Sequence, residues 1–374
     1  MGKSNLKQHH KIVFFLACLE SGGAERAMVN LANAMAHRGY EVEMVLVEKR
    51  GPLVQKVCDK INIVDLGCRR MLTAMPAIIR YLRNEKPKKM ISTLSYADVT
   101  LLIARKLART DTKIVVRLAT PFSKSFEQRL TNIRITKRLA PFVYRWADEI
   151  IAVAKGVEED FRKVIKIPAS KKIHIIYNPV VSKVLYDQAV LPVNHPWLQN
   201  KKCPVILCVG RLGVEKDFPT MLKALKLIIE KGVAVRLLIL GEGLERKNLE
   251  QRIAQLDLKE HVSMPGYTDN PYAYMSKADI FVLCSRYEGL PNVLIEAMAC
   301  GCNLISTNCG SGPDEILDHG KYGCLVPVGD SKALAGAIEE TLKGNTKRVE
   351  ATWLEQFSVD YVTGKYLEVL DVEA

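Results

Sequence analysis

No apolar run in the sequence approaches the roughly 20 residues that a membrane-spanning helix needs. Residues 12–19 follow Lys11 as the core of a signal peptide follows its basic end. But the run is short, Glu20 closes it and no small-residue cleavage site follows, so it reads as a buried first strand. The ten cysteines contain no Cys-x-x-Cys pair, which removes a zinc ribbon and a disulfide framework. With no secretory segment they are expected to be reduced, and Cys300 and Cys302, which flank Gly301, read as small packing residues. No Asp-x-Asp occurs, so the usual carboxylate pair for bridging a metal to a diphosphate is missing and no metal site is expected. No Gly-x-Gly-x-x-Gly occurs either, which disfavours a dinucleotide dehydrogenase. Histidine is scarce, with seven residues, two of them (His9 and His10) in the N-terminal tail. No nucleic-acid module or aromatic-basic interleaving is present, so nucleic acid is not an expected partner.

What is present is an ordinary globular composition, 48% hydrophobic and 25% charged, over 374 residues. That length exceeds what one core usually serves and implies two domains. The net charge of +13 is unevenly spread. Residues 1–200 hold 34 Lys and Arg against 17 Asp and Glu, a balance of +17; the remainder holds 20 against 24, a balance of −4. A basic half attracts anionic lipid or phosphorylated small molecules. Part of this charge falls in amphipathic runs, with Arg129, Arg134, Lys137, Arg138 and Arg145, which suit either a solvated helix face or a membrane surface.

Short apolar runs alternate with longer amphipathic ones. Strands are expected at residues 12–17, 41–47, 61–65, 89–92, 113–117 and 149–153, and a helix at 24–38, closed by Gly39. Residues 180–202 interrupt the rhythm with Pro192, Asn194 and Pro196. Strands resume at 205–209, 235–240, 280–284, 303–306 and 323–326. The chain therefore reads as α/β, with two Rossmann-like, doubly wound parallel sheets. The domains are expected at 1–190 and 191–352, and a helix in 353–374 is expected to return to the first domain. Such sheets bind ligands beyond the carboxyl ends of their strands, so function is expected in a cleft that the two sheets face.

The stretch from Ser285 to Gly301 carries the most chemistry. A strand ends, a turn bearing Glu288 and Gly289 follows, and a helix opens near Pro291 and ends before Gly301. Its free N–H groups and positive dipole end suit a phosphate. Glu288 precedes the helix and Glu296 lies inside it among apolar residues, where a charge needs a partner or a ligand. Each carboxylate accepts hydroxyl hydrogen bonds, as vicinal diols offer. The next strand leads to Gly310-Ser311-Gly312-Pro313-Asp314-Glu315, a second glycine-bearing turn. The strand at 205–209 leads to Gly210-Arg211-Leu212-Gly213-Val214-Glu215-Lys216-Asp217. There Arg211 and Lys216 suit a diphosphate, supplying the charge a metal otherwise supplies. In the first half, Ser21-Gly22-Gly23-Ala24-Glu25-Arg26 opens the first helix, and Gly22 and Gly23 permit a close backbone approach to phosphate or acceptor.

Taken together and in this order, these pieces resemble the retaining glycosyltransferases of family 4, which have the GT-B fold. The matching segments are Ser21–Arg26, Gly210-Arg211 with Lys216, Glu288-x7-Glu296 and Gly310-Ser311-Gly312-Pro313-x-Glu315. The resemblance implies that Arg211 and Lys216 bind the donor diphosphate, Glu288 contacts the transferred sugar, Glu296 holds the ribose, and the backbone of Asn292, Val293 and Leu294 and of Gly22 and Gly23 lines the phosphates. It implies retention of configuration by front-face displacement, with no protein nucleophile and no metal or other cofactor. Many relatives carry a His after the fifth strand; here that segment reads Arg117-Leu118-Ala119-Thr120-Pro121, which turns attention to Arg117 and Thr120.

The Ser-Gly-Gly-Ala-Glu-Arg start resembles members that extend lipid-linked oligosaccharides or surface polysaccharides such as lipopolysaccharide. The expected reaction moves a hexose or N-acetylhexosamine from a UDP-sugar to a polyprenyl-diphosphate-linked glycan. The expected site is the cytoplasmic face of the cell membrane, where a peripheral enzyme with a basic half meets anionic lipid. The alternative is a UDP-sugar 2-epimerase of the same architecture, which needs no acceptor.

Overall fold

A computed structural model of the chain describes residues 11–124 and 138–372, so Arg129, Arg134 and Lys137 lie outside the described residues. The chain divides into two compact units, residues 1–179 with 357–374, and residues 180–356.

The first unit is built on seven parallel strands: β1 (Ile12–Leu16), β2 (Val42–Leu46), β3 (Asn62–Asp65), β4 (Lys89–Thr93), β5 (Lys113–Leu118), β6 (Glu149–Ala152) and β7 (His174–Ile175). Their order is β3-β2-β1-β4-β5-β6-β7. The order reverses direction between β1 and β4, and there the connections before and after leave a crevice at the strands' carboxyl ends. β1, Ile-Val-Phe-Phe-Leu, is buried along its whole length, as a strand covered on both faces must be. Helix α1 (Gly23–His37) turns Met28, Leu31, Ala32 and Met35 inward at helical spacing and ends before Gly39, whose φ of 90° suits the left-handed position after a helix. α2 (Met75–Glu85), α3 (Ser95–Ala108) and α4 (Lys155–Ile165) follow β3, β4 and β6.

The C-terminal helix Val359–Val369 belongs to this unit. It buries Val362, Tyr366, Leu367 and Leu370 in the same core as β1 and α1. Lys113 reaches its end, with Nζ 2.6 Å from an Asp371 carboxylate oxygen, and Lys89 donates to the Asp371 carbonyl at 2.9 Å. The exchange between units comes later than residue 353: the Trp353 indole N–H donates to the Ile316 carbonyl at 2.9 Å, inside the second unit.

The second unit has six parallel strands, β8 (Val205–Val209), β9 (Arg236–Leu240), β10 (Val262–Gly266), β11 (Ile280–Leu283), β12 (Asn303–Thr307) and β13 (Cys324–Val326). Their order is β10-β9-β8-β11-β12-β13, with the reversal between β8 and β11. The stretch read as a linker is ordered within this unit: α5 (Lys183–Ala189) and α6 (Pro196–Gln199) occupy it. Asn270 and Ser276 bind the Gln188 and Ala189 carbonyls at 2.9 and 2.6 Å, fixing α5. The remaining α-helices of this unit are α7 (Phe218–Glu230), α8 (Arg246–Gln255), α9 (Pro271–Met275), α10 (Asn292–Ala299), α11 (Pro313–Ile316), α12 (Ser331–Leu342) and α13 (Ala351–Leu354).

Candidate active site

In the second unit the register pairs Ile206 of β8 with Ile280 of β11, so the loops that leave these two strands emerge side by side. One loop carries Arg211 and Lys216, the other Glu288. Lys216 Nζ lies 2.6 Å from Glu288 Oε1, and the Ser285 hydroxyl donates to the same oxygen at 2.6 Å. The two side chains are 17% and 14% exposed, so the pair is largely desolvated yet reachable. Burial works against the Lys216 ammonium, but the Glu288 carboxylate outweighs it, and the Lys216 pKa stands raised. Lys216 is therefore a fixed cation at neutral pH.

The loops are braced from behind. The Thr307 hydroxyl at the end of β12 donates to the Ser285 carbonyl at 2.6 Å, and the Ser311 hydroxyl donates to the Gly289 carbonyl at 2.9 Å. Gly312 sits at φ 85°, and a Cβ there would meet the Gly289 oxygen at 2.6 Å. Only glycine lets the third loop close against the second. A Cβ on Gly210 would meet the Lys216 stem at 3.3 Å, so that glycine clears the path of the lysine.

Arg211 stands differently. Its side chain is 70% exposed and donates from Nη2 to Glu215 at 2.7 Å. Glu296 lies within α10 and is buried, at 2% exposure. Asn292, Val293 and Leu294 form the first turn of α10, with Pro291 as its extended N-cap. Cys300 and Cys309 are not poised as nucleophiles. Their thiols are each pushed up to about 12, by burial first, then by Glu296 and Glu288 respectively.

In the first unit, Gly22 is the N-cap of α1 at the carboxyl end of β1, and the Arg26 N–H donates to its carbonyl at 3.0 Å. Arg117 is not available to an acceptor. It is 1% exposed, and its guanidinium donates to Thr93 Oγ1 at 3.0 Å and Asn178 Oδ1 at 2.6 Å. Its charge is spent inside the sheet. Beside it, Asp98 is 1% exposed and accepts from Ser92 at 2.7 Å and Tyr144 at 3.1 Å. Neither polar group was legible as buried from the sequence, because Arg117 closes an apolar strand and Asp98 lies in a helix, and what packs against either is not local.

Among the described residues no three His, Cys, Asp or Glu side chains are grouped as a bound metal ion needs, and no helix is long and apolar enough to cross a membrane.

Two family models match the chain. Residues 21–183 match Glycosyltransferase Family 4, and residues 194–352 match Glycosyl transferases group 1. The chain belongs to this glycosyltransferase family and is a glycosyltransferase, and the 2-epimerase alternative is not favoured. It is 27% identical over 350 residues to the Campylobacter jejuni N-acetylgalactosamine-N,N'-diacetylbacillosaminyl-diphospho-undecaprenol 4-alpha-N-acetylgalactosaminyltransferase, covering 90% of this chain and 92% of that one. It is 27% identical over 365 residues to the lipopolysaccharide core biosynthesis glycosyltransferase LpsE of Rhizobium meliloti, covering 94% and 96%. The solved structure of Anabaena Alr3699/HepE in complex with UDP superposes with a TM-score of 0.78 at 22% identity, covering 96% and 99%. The two doubly wound sheets are those of the GT-B fold.

Proposed function

We propose that this glycosyltransferase moves a hexose or N-acetylhexosamine from a UDP-sugar to a polyprenyl-diphosphate-linked glycan, with retention of configuration and without a metal. The observation that carries the donor half is the Lys216–Glu288 pair at 2.6 Å, on adjacent loops at the sheet's reversal. In this reading the ammonium of Lys216 faces the diphosphate and stabilises the charge that grows as the sugar leaves. Glu288 accepts hydrogen bonds from the sugar hydroxyls, Glu296 from the ribose, and the N–H groups of Asn292, Val293 and Leu294 face phosphate oxygens. Arg211 swings on its exposed stem to the departing diphosphate, and in the first unit Gly22 and Gly23 suit a close backbone approach to phosphate or acceptor. The bond from C1 to the diphosphate oxygen breaks as an acceptor hydroxyl oxygen bonds C1 from the same face. The hydroxyl proton passes to the departing phosphate.

The acceptor half rests on the relatives, one of which acts on a diphospho-undecaprenol substrate and another in lipopolysaccharide core biosynthesis, and on charge. Residues 69–109 hold ten Lys and Arg against only Glu85 and Asp98, and Asp98 is buried. Exposed apolar side chains accompany them: Leu72 at 51%, Leu107 at 53%, Phe142 at 64% and Trp146 at 38%. The Arg83 guanidinium donates to the Leu107 carbonyl at 3.0 Å, and the Lys106 ammonium sits 5.7 Å from the centre of the Trp146 ring, so these groups adjoin. Basic and apolar side chains side by side fit an anionic membrane surface, and a peripheral enzyme at the inner face of the cell membrane is part of the proposal.

The deciding measurement is calorimetric titration with UDP-, GDP- and ADP-sugars in EDTA. Binding of UDP-sugars alone supports the reading; binding that appears only after a divalent metal is restored sinks its metal-free part. Proton NMR of the first-formed product reads the anomeric configuration, and an inverted linkage overturns retention.

A further inference from the structure

The two donor loops touch at a second place, one residue after Lys216 on the first loop and two residues before Glu288 on the second. Asp217 follows Lys216 directly. It is 3% exposed and held at φ 48°, a left-handed conformation that costs an aspartate energy and persists only where its surroundings impose it. Its carboxylate supplies that constraint. Oδ2 accepts from the Thr220 hydroxyl at 2.9 Å, on the first turn of α7, and Oδ1 accepts from Arg286 Nη2 at 3.1 Å. Arg286 lies two residues before Glu288 on the neighbouring loop. Its own backbone N–H donates to the Glu215 carbonyl at 2.8 Å, and the Cys284 thiol donates to the Lys216 carbonyl at 3.1 Å. Residues 215, 216 and 217 are thus each bonded to residue 284 or 286, once from backbone to backbone, once from the Cys284 thiol to a backbone carbonyl and once through this ion pair.

We propose that Arg286 is a positioning residue: through Asp217 it locks the Lys216 loop to the Glu288 loop, so that ammonium and carboxylate meet the donor as one preformed unit. The proposal rests on the donor-site reading given above. Within its own loop and helix the Asp217 carboxylate is held at Oδ2 by Thr220, while Oδ1 takes its hydrogen bond from the opposite loop, from an arginine whose side chain is 52% exposed. What the arginine adds is a tie between loops. Removing it frees the loop of Lys216 to shift, and a shift of about 1 Å at a charged contact is enough to be felt in binding and in rate.

The test measures UDP affinity by calorimetry in Arg286→Ala, Asp217→Asn, Lys216→Ala and the double variants of Arg286→Ala with each of the other two. Thermal melting establishes that each variant is folded. The expected result is that Arg286→Ala and Asp217→Asn each weaken UDP by about tenfold, the middle of the range for coupled neighbours. The Arg286/Asp217 double variant should be no weaker than either single one. In the Lys216→Ala background, Arg286→Ala should have almost no further effect, because the group it positions is gone. A guanidinium that touches the nucleotide itself would give a different pattern. Arg286→Ala would then weaken UDP while Asp217→Asn would not, and the loss would add to that of Lys216→Ala; either outcome overturns the proposal. Wild-type affinity in Arg286→Ala overturns it as well. If Asp217→Asn does not fold, the Arg286 and Lys216 cycle alone decides the matter. Wild-type UDP affinity in Lys216→Ala is a separate failure, that of the donor-site reading.

Discussion

Asp98 makes the stability of the first unit depend on pH in a direction opposite to that of most carboxylates. It is buried between β4 and the segment that carries Tyr144, and that burial pushes its pKa up from an ordinary 3.8 to about 7, against the hydrogen bonds of Ser92 and Tyr144 and the charge of Arg117. Below pH 3.8 the group is protonated in both the folded and the unfolded chain, and it costs nothing. Between 3.8 and about 7 the unfolded chain releases the proton while the folded chain keeps it, so stability falls as pH rises, at about 1.4 kcal/mol per pH unit. Over the whole window the loss comes to about 4 kcal/mol, a large share of a domain's net stability. Above pH 7 the carboxylate ionises in both states and the loss levels off. Asp98→Asn removes the titration while keeping the shape and an oxygen for Ser92. Urea unfolding followed by tyrosine and tryptophan fluorescence, at intervals from pH 5 to pH 8.5, measures the difference. The variant should lose to the wild type at pH 5, where the neutral acid fits best, and close or reverse the gap by pH 8. Parallel curves for the two proteins across this range would refute the argument, because they would mean that Asp98 is ionised throughout.

Lys216→Ala and Glu288→Gln should each weaken UDP-sugar binding or turnover by about tenfold to a hundredfold, as losing one charge-assisted contact does. Arg211→Ala, at the exposed position, should depress turnover more than nucleotide affinity; steady-state kinetics beside calorimetry separates the two. Gly312→Ala should cost about 1–3 kcal/mol of stability, from its positive φ and the collision with the Gly289 carbonyl, read by thermal melting of the second unit. Arg80→Glu with Arg83→Glu should reduce co-sedimentation with phosphatidylglycerol vesicles and leave UDP affinity as it was; retention of full vesicle binding would remove this face from the membrane proposal.

The strands that the sequence revealed are those with continuous apolar runs, such as β1 and β8, where burial on both faces leaves no other composition open. β10 escaped notice because Val-Ser-Met-Pro-Gly contains a proline and a glycine and only partly buries its side chains. β7 is two residues long and carries no pattern of its own. The prolines and asparagine of 192–196 read as a linker because α5 and α6 are short helices with little periodicity of their own, and α5 is held by tertiary bonds from Asn270 and Ser276 to the Gln188 and Ala189 carbonyls. Among the site residues, Lys216 and Glu288 meet as one pair, while Arg211 lies apart with Glu215. Asp217 and Arg286 lay within the quoted motifs but had no assigned role, since nothing local indicates that residues 69 positions apart share a hydrogen bond.

The sequence by itself determined the family, the alternation that builds two parallel sheets, and the glycine-bearing turns at strand ends. Each of these is a local property, fixed by side-chain periodicity and by backbone angles that few residues tolerate. The tertiary structure alone decided which turns stand next to one another. The order β10-β9-β8-β11-β12-β13 makes neighbours of β8 and β11, and with them of Lys216 and Glu288. It also decided which charges are exposed and which are buried: Arg117 and Arg211 look alike in the sequence, yet one is 1% exposed within a sheet and the other extends a 70% exposed side chain. Burial is set by what the rest of the chain packs against a residue, and that information is not held in the residue's own neighbourhood.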